Sequence, residues 1–384
     1  MHFSSSADLT FGIELEFQIV DGSSGRLSPS SLNLWEALKG RSDAAQFALE
    51  ATLSTMEINS SVHTDADDML QDVLALTGVL AELAKSRNLI IRGGGTQLTQ
   101  YWEERVVTPS ERATELTKRF GFLPKRFSTY GMHVHIGASS VEKALLLGNA
   151  LQSLVPLFIA MSAASPFLQM VDTGFCASRP LEPLIYPHGG AMPRVHSWVE
   201  FEAIVEEIFS TKLANSLKDI YWDVRPKPEF GTIEVRVFDT PLSVHKAVAM
   251  AAFTRACAAL VLDGQLVLPE TPPSATSERV SRFLACRDGL DGVLLDPFTQ
   301  TWIPARSLLS NMFEAIKKST HAAVDQRHIA NLYAHCMETQ DAGIMRKAWR
   351  DSQAPHRTAT DVLLSYYSQS LGDRLLMPMG HVPD

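Results

Sequence analysis

Three stretches of the chain alternate apolar and polar side chains with a period of two, the pattern of a β-strand that buries one face. They cover residues 10–20 (TFGIELEFQIV), 131–137 (GMHVHIG) and 231–239 (GTIEVRVFD). If the three strands lie in one sheet, their polar side chains meet on one surface above an apolar underside. Those side chains are Glu14 and Glu16, His133 and His135, and Glu234 and Arg236.

Segments between these strands repeat apolar residues about every 3.6 positions, which predicts amphipathic helices. The clearest is 64–85, where Thr64 or Asp65 is placed to cap the helix. From about residue 277 onward, the chain is predicted to be mostly helix in several pieces. Helices are predicted at 30–38, 64–85, 111–120, 140–161, 198–209, 212–220 and 242–262, further strands around Glu57 and at 88–92 and 221–228, and a linker at 264–276.

Two irregular segments are candidates for ligand contact. Residues 171–192 are rich in proline and glycine and predict a long ordered loop, a class of segment that tends to be functional. Arg179, the one arginine in this loop, is either solvated or a clamp for a ligand. The glycines at 93–95 either let the backbone approach a ligand or form a tight turn.

The residue types on the shared polar surface indicate a particular chemistry. Carboxylate oxygens with an occasional imidazole suit Mg²⁺ or Mn²⁺. An arginine on the same surface suits a phosphate, because its planar fork donates to two oxygens at once. A lone Glu-x-Glu strand is more often a solvated acidic surface. The two further strands therefore favour a cation site equipped for phosphoryl transfer.

Composition is that of a water-soluble globular protein and narrows the choice of partners. Of 384 residues, 45% are hydrophobic and 20% charged. The formal net charge of −9 argues against binding to nucleic acid or to an anionic membrane. The four cysteines form no CxxC pair, so we expect neither a zinc site nor a disulfide framework, and a reducing cytoplasm fits. The first ten residues lack the basic region and apolar run of a signal peptide.

Residues 144–164 contain no charged side chain and are long enough to span a bilayer. Polar residues and Pro156 interrupt the stretch, however, so we expect a buried core helix rather than a membrane span.

Several segments together resemble the YbdK-type carboxylate–amine ligases of the glutamate–cysteine ligase type 2 family. They are GIELEF, the GGGT turn, GMHVHIG, SAASPF followed by DTGFCASRP, and YWDVRPKPEFGTIEVRVFDTPL. The resemblance covers roughly residues 9–300 and is densest between 130 and 245. GMHVHIG and IEVR also look like strands of glutamine synthetase, a more distant relative.

The resemblance implies an α+β fold, in which a curved, mainly antiparallel β-sheet carries the active site on its concave face and helices pack on its outer face. It implies a single catalytic domain over residues 1–384, with the mostly helical C-terminal part from about 277. It also implies a cytoplasmic ligase that uses ATP with Mg²⁺ (or Mn²⁺) and joins a small-molecule carboxylate to a small-molecule amine. A homo-oligomer is expected, with a dimer as the first expectation.

Carried over position by position, the resemblance implies roles for individual residues. Spacing alone places Glu50 on the surface, and the resemblance reverses that interpretation. His135 is expected to orient a neighbour or to contact the nucleotide. Arg225 and Arg236 are expected to contact the nucleotide, and Arg225 and Arg179 to bind phosphate or a substrate carboxylate. The implied metal ligands are Glu14, Glu16, Glu50, Glu57, His133 and Glu234; the implied catalytic residues are Arg236, which faces the transferring phosphate, Glu234, Arg225 and Arg179.

The chain departs from the resembled family at two positions. Relatives usually continue the glycine turn as GGGTHPF, whereas Gln97 and Leu98 follow here, and they tend to have Glu at the position of Leu53. Both positions lie where a substrate contact is expected. We therefore predict that glutamate–cysteine ligase activity is weak and that the physiological acid or amine is different.

The leading hypothesis is ATP-dependent amide-bond formation through an acyl phosphate. One alternative is a metal-dependent hydrolase of the amidohydrolase type, since His-x-His on a strand also occurs there. That alternative requires a barrel of repeated strand–helix units, which the sequence lacks. A second alternative is a non-catalytic nucleotide-binding regulator on the same fold.

Overall fold

The three alternating stretches form neighbouring strands of one antiparallel sheet in a computed structural model, which describes residues 1–126, 129–319, 323–353, 355, 358–370 and 373–379. Seven strands of this part of the chain make up the sheet, in the order β10-β11-β5-β1-β3-β2, with β4 also paired to β1. The strands are β1 (Phe11–Asp21), β2 (Phe47–Leu49), β3 (Thr55–Asn59), β4 (Leu89–Arg92), β5 (Gly131–Gly137), β6 (Phe167–Leu168), β7 (Val171–Asp172), β8 (Gly189–Gly190), β9 (Tyr221–Trp222), β10 (Val224–Lys227), β11 (Thr232–Asp239), β12 (Val293–Leu295) and β13 (Trp302–Pro304).

Helices follow most of the predicted stretches, and the α+β class with a mainly antiparallel sheet is confirmed. Asp65 caps the second helix by accepting a hydrogen bond from the Asp68 N–H (2.9 Å). The helices are α1 (Ser31–Leu38), α2 (Ala66–Lys85), α3 (Glu111–Phe120), α4 (Leu123–Arg126), α5 (Val141–Ser153), α6 (Val155–Ser162), α7 (Trp198–Ser210), α8 (Val244–Leu262), α9 (Ala275–Asp288), α10 (Ala305–Lys317), α11 (Gln326–Glu338), α12 (Asp341–Ser352) and α13 (Ala359–Ser370).

The apolar underside of the sheet is the floor of the hydrophobic core. Ile13, Leu15, Met132, Val134 and Val235 are each at most 2% exposed. Helix α8 packs against β1 and β5, and α5 and α6 pack against β11. Because α8 is apolar on nearly every side, it is buried almost completely, as expected for a helix at the centre of a core.

The sequence predicts one buried helix over the apolar stretch 144–164, but the structure has two. Helices α5 and α6 meet at Leu154 with a bend of 59°, since Pro156 cannot donate the hydrogen bond that a continuous helix needs. Both helices are largely buried in the core. Helix α8 is the one described helix long and apolar enough to cross a membrane, and 89% of its most apolar window is buried inside the fold.

Two further sequence predictions differ from the structure. The helix predicted at 212–220 is only a short 3-10 turn, Leu217–Asp219. Lys212 has a φ of 61°, which does not occur within an α-helix, and the carbonyls of Leu217 and Ile220 accept hydrogen bonds from Arg225. The predicted linker 264–276 ends early, since α9 begins at Ala275. After residue 277 the chain is mostly helical, as predicted, but it also contains the β12–β13 hairpin.

The C-terminal helices share the core of the sheet rather than lying apart from it. Leu308, Leu309 and Leu332 belong to the main hydrophobic cluster, and α12 and α13 form a second cluster with Val20 and Leu98. The single catalytic domain remains a prediction.

A buried ion pair links helix α8 to the start of α12. Lys246 Nζ lies 2.9 Å from Asp341 Oδ1, and both side chains are 2% exposed. His335 Nε2 also contacts Asp341 Oδ1 (3.3 Å). The second oxygen of Asp341, Oδ2, accepts from the Leu242 N–H (3.1 Å). Burial opposes ionisation of Asp341, but the Lys246 charge outweighs it and holds the pKa of the carboxyl below its usual value.

Lys246→Met should lower the free energy of unfolding by about 3–5 kcal/mol, because the Asp341 carboxylate then stays buried without its cation. Adding Asp341→Leu should recover a large part of this loss, since no unpaired charge remains. Chemical denaturation at neutral pH measures both variants. Lys347→Met, in the exposed Lys347–Asp351 pair, is the control and should cost about 0.5 kcal/mol or less. If Lys246→Met and Lys347→Met lowered the free energy of unfolding equally, the buried Lys246–Asp341 ion pair would not have the role assigned to it.

Candidate active site

The register of the strands brings the predicted polar side chains into adjacent positions on one face of the sheet. Glu14 of β1 lies opposite His133 of β5, and Glu16 lies opposite Glu57 of β3. On the other side, Glu234 of β11 lies opposite both His135 of β5 and Arg225 of β10. Residues that are directly opposite across an antiparallel pair have neighbouring side chains. We call this surface the polar face.

Three ligand-type residues form a first cluster on the polar face: Glu14, His135 and Glu234. One ligand atom from each lies within 4.8 Å of the others. His135 Nε2 is 3.2 Å from Glu14 Oε1 and 3.9 Å from Glu234 Oε1, while its Nδ1 contacts Thr232 Oγ1 at 3.0 Å. Two carboxylates and an imidazole are a donor set that fits Mg²⁺ or Mn²⁺.

A second cluster consists of three carboxylates, Glu16, Glu50 and Glu57, also within 4.8 Å of one another. Glu57 is 7% exposed. Glu50 directly follows β2, and the Thr108 hydroxyl donates to the Glu50 carbonyl (2.5 Å). The structure therefore contradicts the surface position that spacing alone assigned to Glu50, and agrees with the position implied by the resemblance.

His133 lies between the two clusters and is 4% exposed. Its Nδ1 donates to Glu14 Oε2 (2.6 Å), and its Nε2 is 3.9 Å from Glu16 Oε1. Burial and the charge of Arg236 lower the pKa of His133 to about 4, so its ring is neutral at physiological pH. His133 thus touches carboxylates of both clusters, whereas His135 belongs to the first cluster itself.

Arginines balance the carboxylate of Glu234. Arg225 Nε donates to Glu234 Oε2 at 2.6 Å, and Arg236 forms an ion pair with Glu234 Oε1. Burial alone would raise the pKa of Glu234, but these two charges hold it below its usual value. A bulge in the pairing of β11 with β5, between Val235 and Phe238, coincides with Arg236.

Arg179 reaches the polar face from the loop 171–192, as the clamp interpretation requires. It is 7% exposed, and its guanidinium donates twice to the Arg236 carbonyl (3.2 and 3.3 Å). A Cβ at Gly131 would lie 1.9 Å from Arg179 Nη2, so only glycine leaves room for this side chain. Arg179, Arg236, Glu16, His133 and Tyr221 together line a cleft over the polar face.

The second cluster favours protonated carboxyls while no cation is bound. Burial, reinforced by the charge of Glu50, raises the pKa of Glu16 to about 8. Burial raises the pKa of Glu50 as well, and that of Glu57, where the charges of Glu50 and Glu14 add to it. Glu14 behaves differently: burial opposes its ionisation, but hydrogen bonds from His133 and His135 lower its pKa. A cation would therefore have to displace protons from the second cluster.

The glycine turn serves packing rather than ligand approach. A Cβ at Gly93 would lie 2.0 Å from the Pro241 carbonyl, and one at Gly95 would lie 2.4 Å from Asp239. Gln18 donates to the carbonyls of Gly93, Gly94 and Thr96 at 3.0–3.2 Å. The three glycines therefore let two backbone segments cross closely beside the polar face.

Gln97 does not offer a free group to a substrate, contrary to our expectation. It is 3% exposed, and its amide donates to Thr99 and to the Tyr367 hydroxyl, both at 2.7 Å. Its carbonyl oxygen accepts from the N–H groups of Thr99 and Gln100. Leu98 is likewise buried, in the cluster formed with α12 and α13. Leu53 is partly buried, with its N–H donating to the Val106 carbonyl (2.9 Å).

Arg282 on α9 is a cleft residue that the sequence analysis missed. It forms an ion pair with Asp223 and donates to the Pro180 carbonyl (2.7 Å), and the Asp223 carbonyl accepts from the Arg236 N–H (2.8 Å). These bonds tie the loop of Arg179 to the strand of Arg236. The surrounding helix gave no local sign of this role, because only the tertiary fold brings α9 beside the cleft.

Binding of Mg²⁺ or Mn²⁺ should release protons at about pH 7, because Glu16, with a pKa of about 8, must lose its proton to bind a cation. The apparent affinity should rise with pH through about pH 8, as Glu16 loses its proton. Titration calorimetry in buffers of different ionisation enthalpy counts the released protons, and Glu16→Gln should release fewer. Heats that do not depend on the buffer would contradict this assignment.

Comparison with known proteins places the chain in a family. A model of the glutamate–cysteine ligase family 2 matches residues 10–356. A protein of Cupriavidus metallidurans, provisionally named glutamate–cysteine ligase 2, is 35% identical over 92% of this chain and 95% of its own length. A protein of Ralstonia pickettii with the same provisional name is 37% identical over 93% of this chain and 94% of its own length.

Solved structures of similar fold agree with the architecture. A glutamate–cysteine ligase from Francisella tularensis, crystallised in complex with AMP, superposes with a TM-score of 0.65 at 13% identity, covering 97% of this chain and 90% of that one. A bifunctional glutathione synthetase from Pasteurella multocida gives a TM-score of 0.63 at 14% identity, covering 94% of this chain and 52% of that one. By the family match and the identity of its relatives, the chain belongs to glutamate–cysteine ligase family 2 and is an enzyme of the ligase type.

Proposed function

We propose that the protein is an ATP-dependent carboxylate–amine ligase that works through an acyl phosphate. The observation that carries this proposal is the polar face itself, where two carboxylate-rich clusters lie beside Arg225, Arg236 and Arg179. A protein that binds nucleotide triphosphate with divalent cations needs oxygen ligands for the cations and arginines for the phosphate oxygens. The crystallisation of a fold relative with AMP supports a nucleotide in this cleft.

The reaction has two steps that balance without any redox partner. A carboxylate oxygen of the acid attacks the γ-phosphorus of ATP, and ADP leaves. The amine nitrogen then attacks the carbonyl carbon of the acyl phosphate, inorganic phosphate leaves and the nitrogen loses a proton. Divalent ions at the two clusters would offset the charge on the phosphate oxygens.

The residues of the chain supply orientation and charge. Arg236 is paired with Glu234 and has its backbone fixed by Asp223, so its guanidinium is held in place before a phosphate arrives. Burial disfavours the charge of Arg236, but Glu234, Glu14 and Glu16 outweigh it and raise its pKa, so it stays charged. One such preorganised charge is worth on the order of 3–4 kcal/mol in the barrier. His133 and His135 donate to Glu14 and fix its orientation.

The acid and the amine are a separate question from the reaction type. The provisional names of the relatives indicate glutamate and cysteine. Weak glutamate–cysteine ligation remains our prediction, but the buried position of Gln97 removes that residue as its direct cause. An ADP-release screen over acids and amines would identify the pair.

Of the two alternative functions, a hydrolase and a nucleotide-binding regulator, the regulator still needs an experimental test. The hydrolase alternative required a barrel of strand–helix repeats, whereas the described strands of the polar face belong to one antiparallel sheet. A nucleotide-binding regulator would bind ATP without releasing ADP in the same screen. A cytoplasmic location, a homodimer and the absence of nucleic-acid or membrane partners remain expectations from the sequence.

ATP binding should require Mg²⁺ or Mn²⁺, because phosphate oxygens cannot approach the ionised carboxylates of the first cluster without cations between them. Titration calorimetry with a non-hydrolysable ATP analogue measures this affinity with divalent ions and in EDTA. An affinity that is unchanged in EDTA would refute the shared cation site.

Glu234→Gln should lower kcat on the order of 10²–10³-fold, since the amide keeps the shape but loses the charge that holds Arg225 and Arg236. Glu82→Gln, at an exposed position of α2, is the matched control and should keep normal turnover. Circular dichroism and thermal unfolding establish that both variants fold. Near-normal turnover of a folded Glu234→Gln protein would remove Glu234 from the site.

A further inference from the structure

Arg105 is a buried arginine without a carboxylate partner. It is 5% exposed, and its Nη1 donates to the backbone carbonyl of Arg126. Its Nε is buried without a hydrogen-bond partner. No ion pair joins Arg105 to an acidic side chain in the part of the chain that the structure describes. A buried charge that lacks a partner is costly to the fold, so its presence calls for an explanation.

Two other buried arginines and the largely buried Arg255 show how such a charge can be compensated by a carboxylate. Arg225 is paired with Glu234 at 2.6 Å, and Arg282 is paired with Asp223. Arg255, outside the cleft, is paired with Asp325 at 2.6 Å. Arg105 lacks this compensation, and burial accordingly lowers its pKa.

Arg105 lies near two segments that contribute residues to the lining of the cleft. Its electrostatic neighbours are Tyr130, Glu182 and Arg126. Tyr130 follows Thr129, and Glu182 precedes Pro183; Thr129 and Pro183 both line the cleft. Tyr130 also precedes Gly131, whose N–H donates to Glu16 Oε2 (2.5 Å). Two electrostatic neighbours of Arg105 are thus adjacent in the chain to residues that line the cleft.

The charged side chains near Arg105 do not balance, and one further negative charge would neutralise them. Arg126 Nε lies 3.4 Å from Glu182 Oε2, so the one nearby carboxylate is already paired. Two guanidinium groups and one carboxylate give this flank a surplus of one positive charge. The polar face has the opposite character, since five glutamates meet there with Arg225, Arg236 and Arg179.

We propose that Arg105 binds the non-reacting carboxylate of an amino-acid substrate. This inference rests on the proposed ligase function, in which one carboxylate is phosphorylated and any second one needs a cation of its own. The planar fork of arginine suits a carboxylate, because two parallel N–H groups meet its two oxygens. A phosphate fits this flank less well, since cation-bound phosphates belong beside the glutamate clusters, which Arg105 does not contact.

The test compares ligands that differ by one carboxylate. L-glutamate is paired with its α-amide, and L-cysteine with cysteamine; each is titrated by calorimetry into the protein loaded with Mg²⁺ and a non-hydrolysable ATP analogue. The wild type should prefer the carboxylate member of at least one pair by about 10–100-fold, the range expected for a charged hydrogen bond. Arg105→Gln should abolish this preference, and Arg105→Lys should keep part of it. The affinity for the ATP analogue should change by less than about threefold.

Arg119→Gln is the matched control, because Arg119 is also largely buried but is paired with Asp219 at 3.0 Å. It should lower thermal stability and keep the preference for the carboxylate. A purely structural role of Arg105 would lower stability in the same way without changing the preference.

Three outcomes would overturn the proposal. The wild type shows no preference for the carboxylate ligands, Arg105→Gln keeps the full preference, or Arg105→Gln weakens only the binding of the ATP analogue. Failure of the ligase function has a different signature. In that case no acid and amine pair would release ADP, while a carboxylate preference that depends on Arg105 would still be measured by calorimetry.

Discussion

The structure of the polar face depends on one electrostatic constraint: five glutamates share one largely buried face of a sheet. Like charges at this spacing repel, and burial adds to the cost of ionising each of them. The protein meets this cost in two ways. In the first cluster, His133, His135, Arg225 and Arg236 keep Glu14 and Glu234 ionised. In the second cluster the charges of Arg179 and Arg236 offset burial only in part, so the carboxyls favour their protonated forms until a cation binds.

Much of the surrounding backbone serves to hold the compensating charges. Gly131 has no side chain because Arg179 occupies that space, and the irregular segment before β9 gives its carbonyls to Arg225. Arg282 connects the loop of Arg179 with Asp223, and Asp223 fixes the backbone of Arg236. These bonds are made before any ligand is present, so little reorganisation is needed when charge develops on a phosphate.

The rigidity of the polar face comes from the opposite side of the sheet. The apolar residues that alternate with the ligands pack on α8, α5 and α6, and the C-terminal helices enclose the same core. Because a strand places successive side chains on opposite faces, the packing of Ile13 and Leu15 fixes the orientation of Glu14 and Glu16. A shift of one residue in register would bury the glutamates and expose the core, so hydrophobic packing also sets the geometry of the site.

The sequence by itself determined the strands, their faces and the residue types of the site. Strict alternation in β1, β5 and β11 was sufficient, because a period of two has one structural meaning when one face must be buried. The family resemblance added Glu50, whose place in the second cluster has no periodic signal.

Only the tertiary structure decided which polar side chains form hydrogen bonds and ion pairs with one another. The local pattern could not predict that carbonyls of the segment 212–220 would accept hydrogen bonds from Arg225, or that Gln97 would be buried against Tyr367. Arg282 and Arg105 stand in segments with no distinctive spacing, and their positions beside the cleft depend on contacts between residues far apart in the chain. Local periodicity reports the burial of one face, whereas charge compensation depends on neighbours that only the complete fold brings together.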